Sequence, residues 1–268
     1  MNIPNFLNRD RLMEACPNLQ LNPIIYSSID STSDELRRLA LTGAEENTIV
    51  IAQQQTNGHG RLGRCFSSPR GGLYFSLLLR PQRTLRDTLP ITAAAAVAIT
   101  QTLEYHGAQK CDVKWVNDIL IDDRKVCGIL TQSVTVGNQK NPSFIILGIG
   151  INLLTPPSSF SAEISEIAGS VFEEAACSNR LFENVLSEFL NRFHNFYLRL
   201  PDAPFYEEYC KRCICIGKSV AILKNEAHYD NGTVLGLERD FSLRVQLENG
   251  TIEHLKSGEI SIRTNQSA

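Results

Sequence analysis

The stretch from Gln55 to Pro69 (Gln-Thr-Asn-Gly-His-Gly-Arg-Leu-Gly-Arg-Cys-Phe-Ser-Ser-Pro) constrains this chain more than any other, because it sets three glycines and two arginines between apolar runs. Asn47 to Gln55 reads as a strand delivering that loop, and Leu73 to Leu79 as a buried strand leaving it. Glycine lets the backbone approach a ligand and take up positive φ, while arginine supplies a rigid fork of donors matched to phosphate oxygens. A second stretch, Lys114 to Gly128, sets Lys114 and Lys125 around an Asn117-Asp118 pair. Together the two point to a site for an activated phosphate ester, and so to nucleotide chemistry.

Gly58-His-Gly60-Arg-Leu-Gly63 also satisfies the dinucleotide-fold pattern G-x-G-x-x-G. That pattern needs a helix opening at its third glycine and an acidic residue about 20 positions on. Gly63 instead leads into a further loop, and Pro81, Gln82 and Arg83 occupy the acidic region. A dinucleotide-binding fold is therefore not expected.

The 268 residues, 43% hydrophobic and 21% charged, suit one large domain or a large and a small one. A net charge of -3 gives no general attraction to polyanions, and no basic patch stands out. The apolar run Phe144 to Leu154 is shorter than the roughly 20 residues a bilayer demands, so it reads as a buried strand. The first residues carry charges where a signal peptide has its apolar core, so the chain is expected in the cytoplasm. Its eight cysteines read as reduced thiols. Cys210, Cys213 and Cys215 cluster, but no partner with zinc-ligand spacing follows.

Helical spacing is expected over Asn5 to Cys16, from Asp34 to Leu41 after the polar turn Asp30 to Ser33, over Thr88 to His106, over Arg180 to Leu200, and over Phe205 to Lys211. The polar turn suits either simple capping or ligand binding at a helix N-terminus. Strands are expected at Ile24 to Tyr26, Asp112 to Trp115, Asp118 to Ile121, Lys125 to Val136 and Phe144 to Leu153, with Asp122-Asp123-Arg124 as a hairpin turn. From Ser219 short β-like runs take over, divided by Asn231-Gly232 and Asn249-Gly250, which read as hairpin turns. A larger domain is expected over residues 1–213 and a small β module over 214–268.

Five motifs in order make the chain resemble the biotin–protein ligases: Asp30-Ser31-Thr32, the Gln55 to Pro69 loop, Lys114 to Asp118, Lys125 to Leu130, and Gly148 to Leu153. The resemblance spans the chain from about Pro23. It implies an α+β fold, a mixed sheet flanked by helices as in class II aminoacyl-tRNA synthetases, followed by an SH3-like β-barrel. It also implies a ligase that couples biotin to AMP from ATP, with magnesium on the nucleotide, then transfers biotin to a lysine of a biotin carboxyl carrier protein. By resemblance Ser31, Thr32, Ser33, Gln55, Gly58, His59, Gly60, Arg61, Lys125 and Gly128 hold biotin. Arg61, Arg64, Phe66, Lys114, Asn117, Lys125 and Asn152 hold ATP or the adenylate. Arg61, Lys125 and Asp118 are the expected catalytic residues, with Asp118 orienting or deprotonating the acceptor lysine. Four of these assignments have a structural competitor: Phe66 as a core ring, Asn152 as a turn former, Lys125 as a solvated lysine, Asp118 as a carboxylate holding Lys114 or a metal ion. No metal ligands can be assigned.

Three positions depart from the commonest family pattern. His59 replaces an arginine, Val116 a proline, and Cys65-Phe66 stands where a tryptophan is usual. Lipoate–protein ligases share the fold but lack the arginine-glycine loop. Other biotin ligases are also DNA-binding repressors of the biotin operon; the 29 residues ahead of Asp30 are too few for that extra domain, so no DNA binding is expected. Monomer and homodimer both fit the sequence.

Overall fold

The computed structural model describes residues 6–81, 88–137, 142–173, 180–225, 228–256 and 261–264. Seven strands form its main sheet: β1 (Asn22–Tyr26), β2 (Thr48–Ala52), β3 (Leu73–Leu79), β4 (Asp112–Lys114), β5 (Asp118–Ile121), β6 (Arg124–Val134) and β7 (Phe144–Ile151). Their order is β1-β2-β3-β7-β6-β5-β4. Only β1 and β2 run parallel; every other neighbouring pair is antiparallel, so the sheet is mixed.

Alternation along the central strands sorts their side chains to two faces. Ile49, Ile51, Phe75, Leu77 and Ile149 belong to the major core, which takes in α3 (Leu89–Tyr105) and α4 (Leu181–Leu198). Ala93 to Ala96 of α3 are fully buried, and the absence of bulk there lets the helix lie close to the sheet. Leu181, Val185, Phe189 and Phe193 form the buried face of α4, and the Phe189 ring meets Phe75 with centroids 5.4 Å apart and stacks on Phe193 at 5.7 Å. On the opposite face Val50, Leu78, Phe144 and Ile146 meet Leu36 and Ala40 of α2 (Thr32–Leu41). That helix covers only one end of the face. Beyond it the register aligns Ser76 with Gly148 and Leu130, and Tyr74 with Gly150 and Gly128. Three positions in this small block lack side chains, which leaves a depression in the sheet.

Asp122 and Asp123 join β5 to β6 with φ of 48° and 60°, the left-handed pair that a tight hairpin takes. The expected hairpin is therefore present. α1 (Arg9–Ala15) is capped by Asn8, and α5 (Tyr206–Arg212) leads toward the second sheet. That sheet holds β8 (Ser219–Asn225), β9 (His228–Leu237), β10 (Leu243–Leu247), β11 (Ile252–Leu255) and β12 (Ser261–Thr264) in the order β11-β10-β9-β8-β12, all antiparallel.

Gly250, with φ of 84°, turns β10 into β11 as expected. Asn231-Gly232 does not turn: it lies within β9, where Gly232 pairs with Val220 and Leu247. A Cβ there would come 2.7 Å from Gln246 O, so that glycine serves close packing between strands. The β8–β9 connection, residues 226–227, lies outside the described residues. Among the described residues the sheet ends at β11 and β12, which share no pairing, so the pairings amount to an open five-stranded sheet.

Both sheets share one continuous core. Phe241 stacks on Phe205 at 5.5 Å, Trp115 Nε1 donates to Phe241 O at 2.9 Å, and Tyr209 OH donates to Val116 O at 3.0 Å. The small sheet thereby supports the turn between β4 and β5 from behind. The described cysteines are all free thiols, while Cys177 lies outside the described residues. Among the described residues no helix is long and apolar enough to cross a membrane.

Candidate active site

The loop from Gln55 to Pro69 folds back on itself over the depression. Gln55 N–H donates to Ser68 O at 3.1 Å, Phe66 N–H to Gly58 O at 2.8 Å, and Gly60 N–H to Arg64 O at 2.7 Å. Its tip is a single turn at Arg61–Gly63, where Leu62 and Gly63 take φ of 56° and 72°. No helix opens at Gly63, in keeping with the rejection of a dinucleotide-binding motif.

Three adjoining cavities surround this loop. The first is lined by Ser31, Thr32, Ser33, Gln55, His59, Gly60, Arg61, Gly128, Gly148 and Gly150, among others. The second is polar and cationic, with Arg61, Arg64, Lys114, Asn117 and Asp118 in its wall. The third is mainly apolar, bounded by Phe160, Ile164, Ile167 and Ala168, with Asn152 at its side. Phe66 and Lys125 line all three.

Ser31 both caps α2, accepting from Asp34 N–H at 3.3 Å, and faces the first cavity, so the two readings of the polar turn coexist. Thr32 N–H and Oγ1 both donate to Gln55 Oε1, at 2.8 and 3.1 Å. His59 Nε2 lies 2.6 Å from Asp34 Oδ2 and ties the loop to α2. Gly58 stands behind Gln55, where a Cβ would come 2.6 Å from Phe66 O and 2.7 Å from Ser68 Oγ.

Arg61 Nη1 donates to Asn117 Oδ1 at 2.9 Å, whereas its Nη2 is buried with no hydrogen-bond partner. Burial holds this guanidinium below the usual arginine range, and the nearby Asp118 offsets that only in part. Buried donors are ordinarily paired, so this one is a vacant hydrogen-bonding position in the cavity wall. Asp118 accepts from Asn117 Nδ2 at 2.9 Å and pairs with Lys125 Nζ at 2.7 Å, so it holds Lys125 and not Lys114. Lys125 Nζ also sits 5.6 Å from the centroid of the Phe66 ring, within range of a cation–π contact.

Phe66 is only partly buried, so the competing reading as a core ring does not describe it. Its ring lies over two glycines: a Cβ on Gly150 would overlap it, and one on Gly128 would come within 2.8 Å. Asn152 is buried, and its Nδ2 donates to Gly169 O at 3.0 Å and Lys125 O at 3.4 Å. Its Oδ1 is left buried and unpaired beside the apolar cavity.

Every expected site residue except Gly58 therefore lines one of the three cavities. Sequence reasoning missed Ser68, Ser76 and the apolar walls from Phe160 to Ala168. For Ser76 a signal existed, since it is the lone small hydroxyl in Leu73-Tyr-Phe-Ser-Leu-Leu-Leu79. Among the described residues no group of three or more His, Cys, Asp or Glu side chains could hold a metal ion.

The sequence pattern of the biotin/lipoate A/B protein ligase family matches residues 25–152. The chain is 32% identical over 247 residues to the bifunctional ligase/repressor BirA of Bacillus spizizenii, a match covering 89% of this chain and 74% of that protein. It is 34% identical over 136 residues to a biotin–[acetyl-CoA-carboxylase] ligase of Paracoccus denitrificans, covering 50% of this chain and 55% of the relative. With the match to the Bacillus subtilis BirA spanning 46% of that protein, the chain covers about half to three quarters of these relatives. Among solved structures, a biotin protein ligase from Aquifex aeolicus in complex with biotin and ATP superposes with a TM-score of 0.75 at 27% identity, over 91% of this chain and 99% of the other.

Proposed function

Since the chain belongs to the biotin/lipoate A/B protein ligase family, we infer that it is an ATP-dependent biotin–protein ligase, forming biotinyl-AMP and passing biotin to a lysine of a carrier protein. One observation carries the reading: a polar cavity, a cationic cavity and an apolar cavity meet at Lys125. Each suits one part of the adenylate, with biotin in the first, phosphates in the second and adenine in the third.

A carboxylate is a poor acyl donor. In the first step a carboxylate oxygen of biotin attacks the α-phosphorus of ATP and pyrophosphate leaves with the electron pair. Lys125 stands where that bond forms, and its ammonium stabilises charge on the carboxyl and α-phosphate oxygens as they join. Arg61 offers its unpaired Nη2 to the same oxygens, while Arg64 and Lys114 take the outer phosphates. Phe66 supplies a stacking face for adenine, with less area than a tryptophan would give. The free Oδ1 of Asn152 accepts from the adenine amino group and would repel the carbonyl of guanine.

In the second step the acceptor lysine attacks the acyl carbon, AMP leaves, and the nitrogen gives up a proton. Before that attack Asp118 orients the incoming ammonium and takes its first proton, exchanging its contact with Lys125, so that nitrogen attacks as the neutral amine; the proton released as the amide forms passes to solvent. Magnesium would arrive chelated by the ATP phosphates, since among the described residues no group of three or more His, Cys, Asp or Glu side chains could hold a metal ion. The acceptor is the biotin carboxyl carrier protein of acetyl-CoA carboxylase, as the Paracoccus relative's name suggests. ATP supply suits a cytoplasmic reaction. We assign catalysis to residues 1–213 and read residues 214–268 as an SH3-like module.

Lipoate is the nearest alternative substrate. Isotope exchange between pyrophosphate and ATP tests the choice. Exchange that depends on biotin and not on lipoate is expected; exchange with lipoate alone, or with neither acid, would refute the reading.

A further inference from the structure

Six polar groups beneath the first cavity form one unbroken hydrogen-bond chain, and its direction can be fixed from its ends. Ser68 Oγ donates to the carbonyl of Phe66 at 3.0 Å, so it can only accept from Gln55 Nε2, which lies 2.9 Å away. The other end of that amide, Oε1, takes both the N–H and the hydroxyl of Thr32. With its single hydrogen spent there, Thr32 Oγ1 must accept from Ser76 Oγ at 2.9 Å. Ser76 has then spent its own hydrogen and must accept from Ser33 Oγ, also at 2.9 Å.

Every hydroxyl hydrogen in the chain is committed to another protein atom. What Thr32 and Ser33 present to the cavity is therefore lone pairs, not donors. Donors come from elsewhere: the second hydrogen of Gln55 Nε2, and Ser31 Oγ, which accepts from Asp34 N–H and keeps its own hydrogen free. The floor asks for a ligand with N–H groups and a carbonyl, the pattern of a cyclic urea. A dithiolane ring brings no N–H and leaves those lone pairs unmatched.

Two serines that line none of the three cavities enforce this polarity. Ser76 is fully buried in β3 and Ser68 nearly so. The fold makes room for the chain at both ends. A Cβ at Gly148 would come 2.7 Å from Ser33 Oγ, and one at Gly58 would come 2.7 Å from Ser68 Oγ and 3.0 Å from Gln55 Nε2.

We propose that Ser76 and Ser68 are positioning residues that lock Thr32, Ser33 and Gln55 into one hydrogen-bond direction and thereby set the cavity's preference for a ureido head group. The proposal rests on the reading of the first cavity as the biotin site. Ser76→Ala takes away the acceptor that holds the Ser33 hydrogen and the donor that fixes Thr32 Oγ1, leaving the Ser33 hydroxyl free to rotate, and the KM for biotin should rise about tenfold while the KM for ATP moves less than about twofold. The preference for biotin over a biotin methylated on a ureido nitrogen should fall by a similar factor, since a freed hydroxyl can turn its hydrogen elsewhere. Ser68→Ala should act in the same direction from the far end, and carries the test if Ser76→Ala does not fold. Ser76→Thr, which keeps the hydroxyl, should restore the preference.

If the wild type shows biotin-dependent exchange but neither alanine variant changes biotin KM or analogue preference, the relay is wrong and the biotin reading survives. Equal losses toward biotin and ATP would likewise overturn it, as a general structural defect. If the wild type shows no dependence on biotin, both fall.

Discussion

Replacing Arg61 with methionine should separate function from stability, because the free protein gains little from this side chain. One nitrogen of the guanidinium bonds Asn117 whether or not ligand is present, so only the buried, unpartnered Nη2 can add an interaction on binding. A single charge-assisted hydrogen bond is worth about 1.5–3 kcal/mol, and adenylate formation in Arg61→Met should therefore slow by about 10- to 150-fold. Stability should move the other way or not at all. Burial already disfavours this cation, as the direction of its pKa shift records, and a methionine of similar reach fills the same space without a charge. Removing a poorly satisfied buried charge is neutral to stabilising by about 1 kcal/mol, or about 2–4 °C in Tm for a chain of this size. Pyrophosphate exchange and thermal denaturation on the same preparation give both numbers. Arg61→Lys should recover little activity, since a point charge cannot reach Asn117 and a phosphate together. A Tm fall of more than about 4 °C accompanying the loss, or an unchanged exchange rate, would refute the assignment.

Three further outcomes follow from other parts of the site. Gly150→Ala drives a methyl group into the Phe66 ring, and should raise the KM for ATP at least about tenfold while sparing biotin affinity measured without nucleotide. Asp34→Ala cuts the 2.6 Å contact that ties His59 and the glycine loop to α2, and should increase escape of the adenylate into bulk solution more than it slows its formation; trapping of free biotinyl-AMP measures this. Away from the site, burial works to raise the Glu104 pKa, but two bonds from Arg212 and one from Cys111 N–H leave it lowered on balance. A depressed carboxylate stabilises the fold above its ordinary range and loses that contribution as pH falls through its shifted value. Denaturation of Glu104→Gln followed from pH 7 downward should therefore show a smaller acid-side loss than the wild type, and a parallel loss would exclude the pair as a source of acid sensitivity.

Much of this architecture was legible because local pattern and long-range packing agree. The alanine run of α3, the uniform burial of β3 and the left-handed aspartates between β5 and β6 each depend on neighbours close in sequence. Asn231-Gly232 misled for a reason that local pattern does not contain. The dipeptide has turn chemistry, but Gly232 is needed where Val245 and Gln246 of β10 approach closely, and only the pairing of β9 with β10 reveals that. The site divides along the same line. Arginines and lysines announce themselves by type, so Arg61, Arg64, Lys114 and Lys125 could be proposed from the sequence. Ser76 could not be given a role, because its effect depends on which way a hydrogen points in a chain that crosses α2, β3 and the glycine loop. Residue type tells what a side chain can do, but its neighbours decide which of its two hydrogen-bond roles remains for the ligand. Ser31 and Ser33 share a chemistry and a cavity, yet one presents a donor and the other an acceptor, so exchanging their roles would require rebuilding the chain behind them and not the pocket surface.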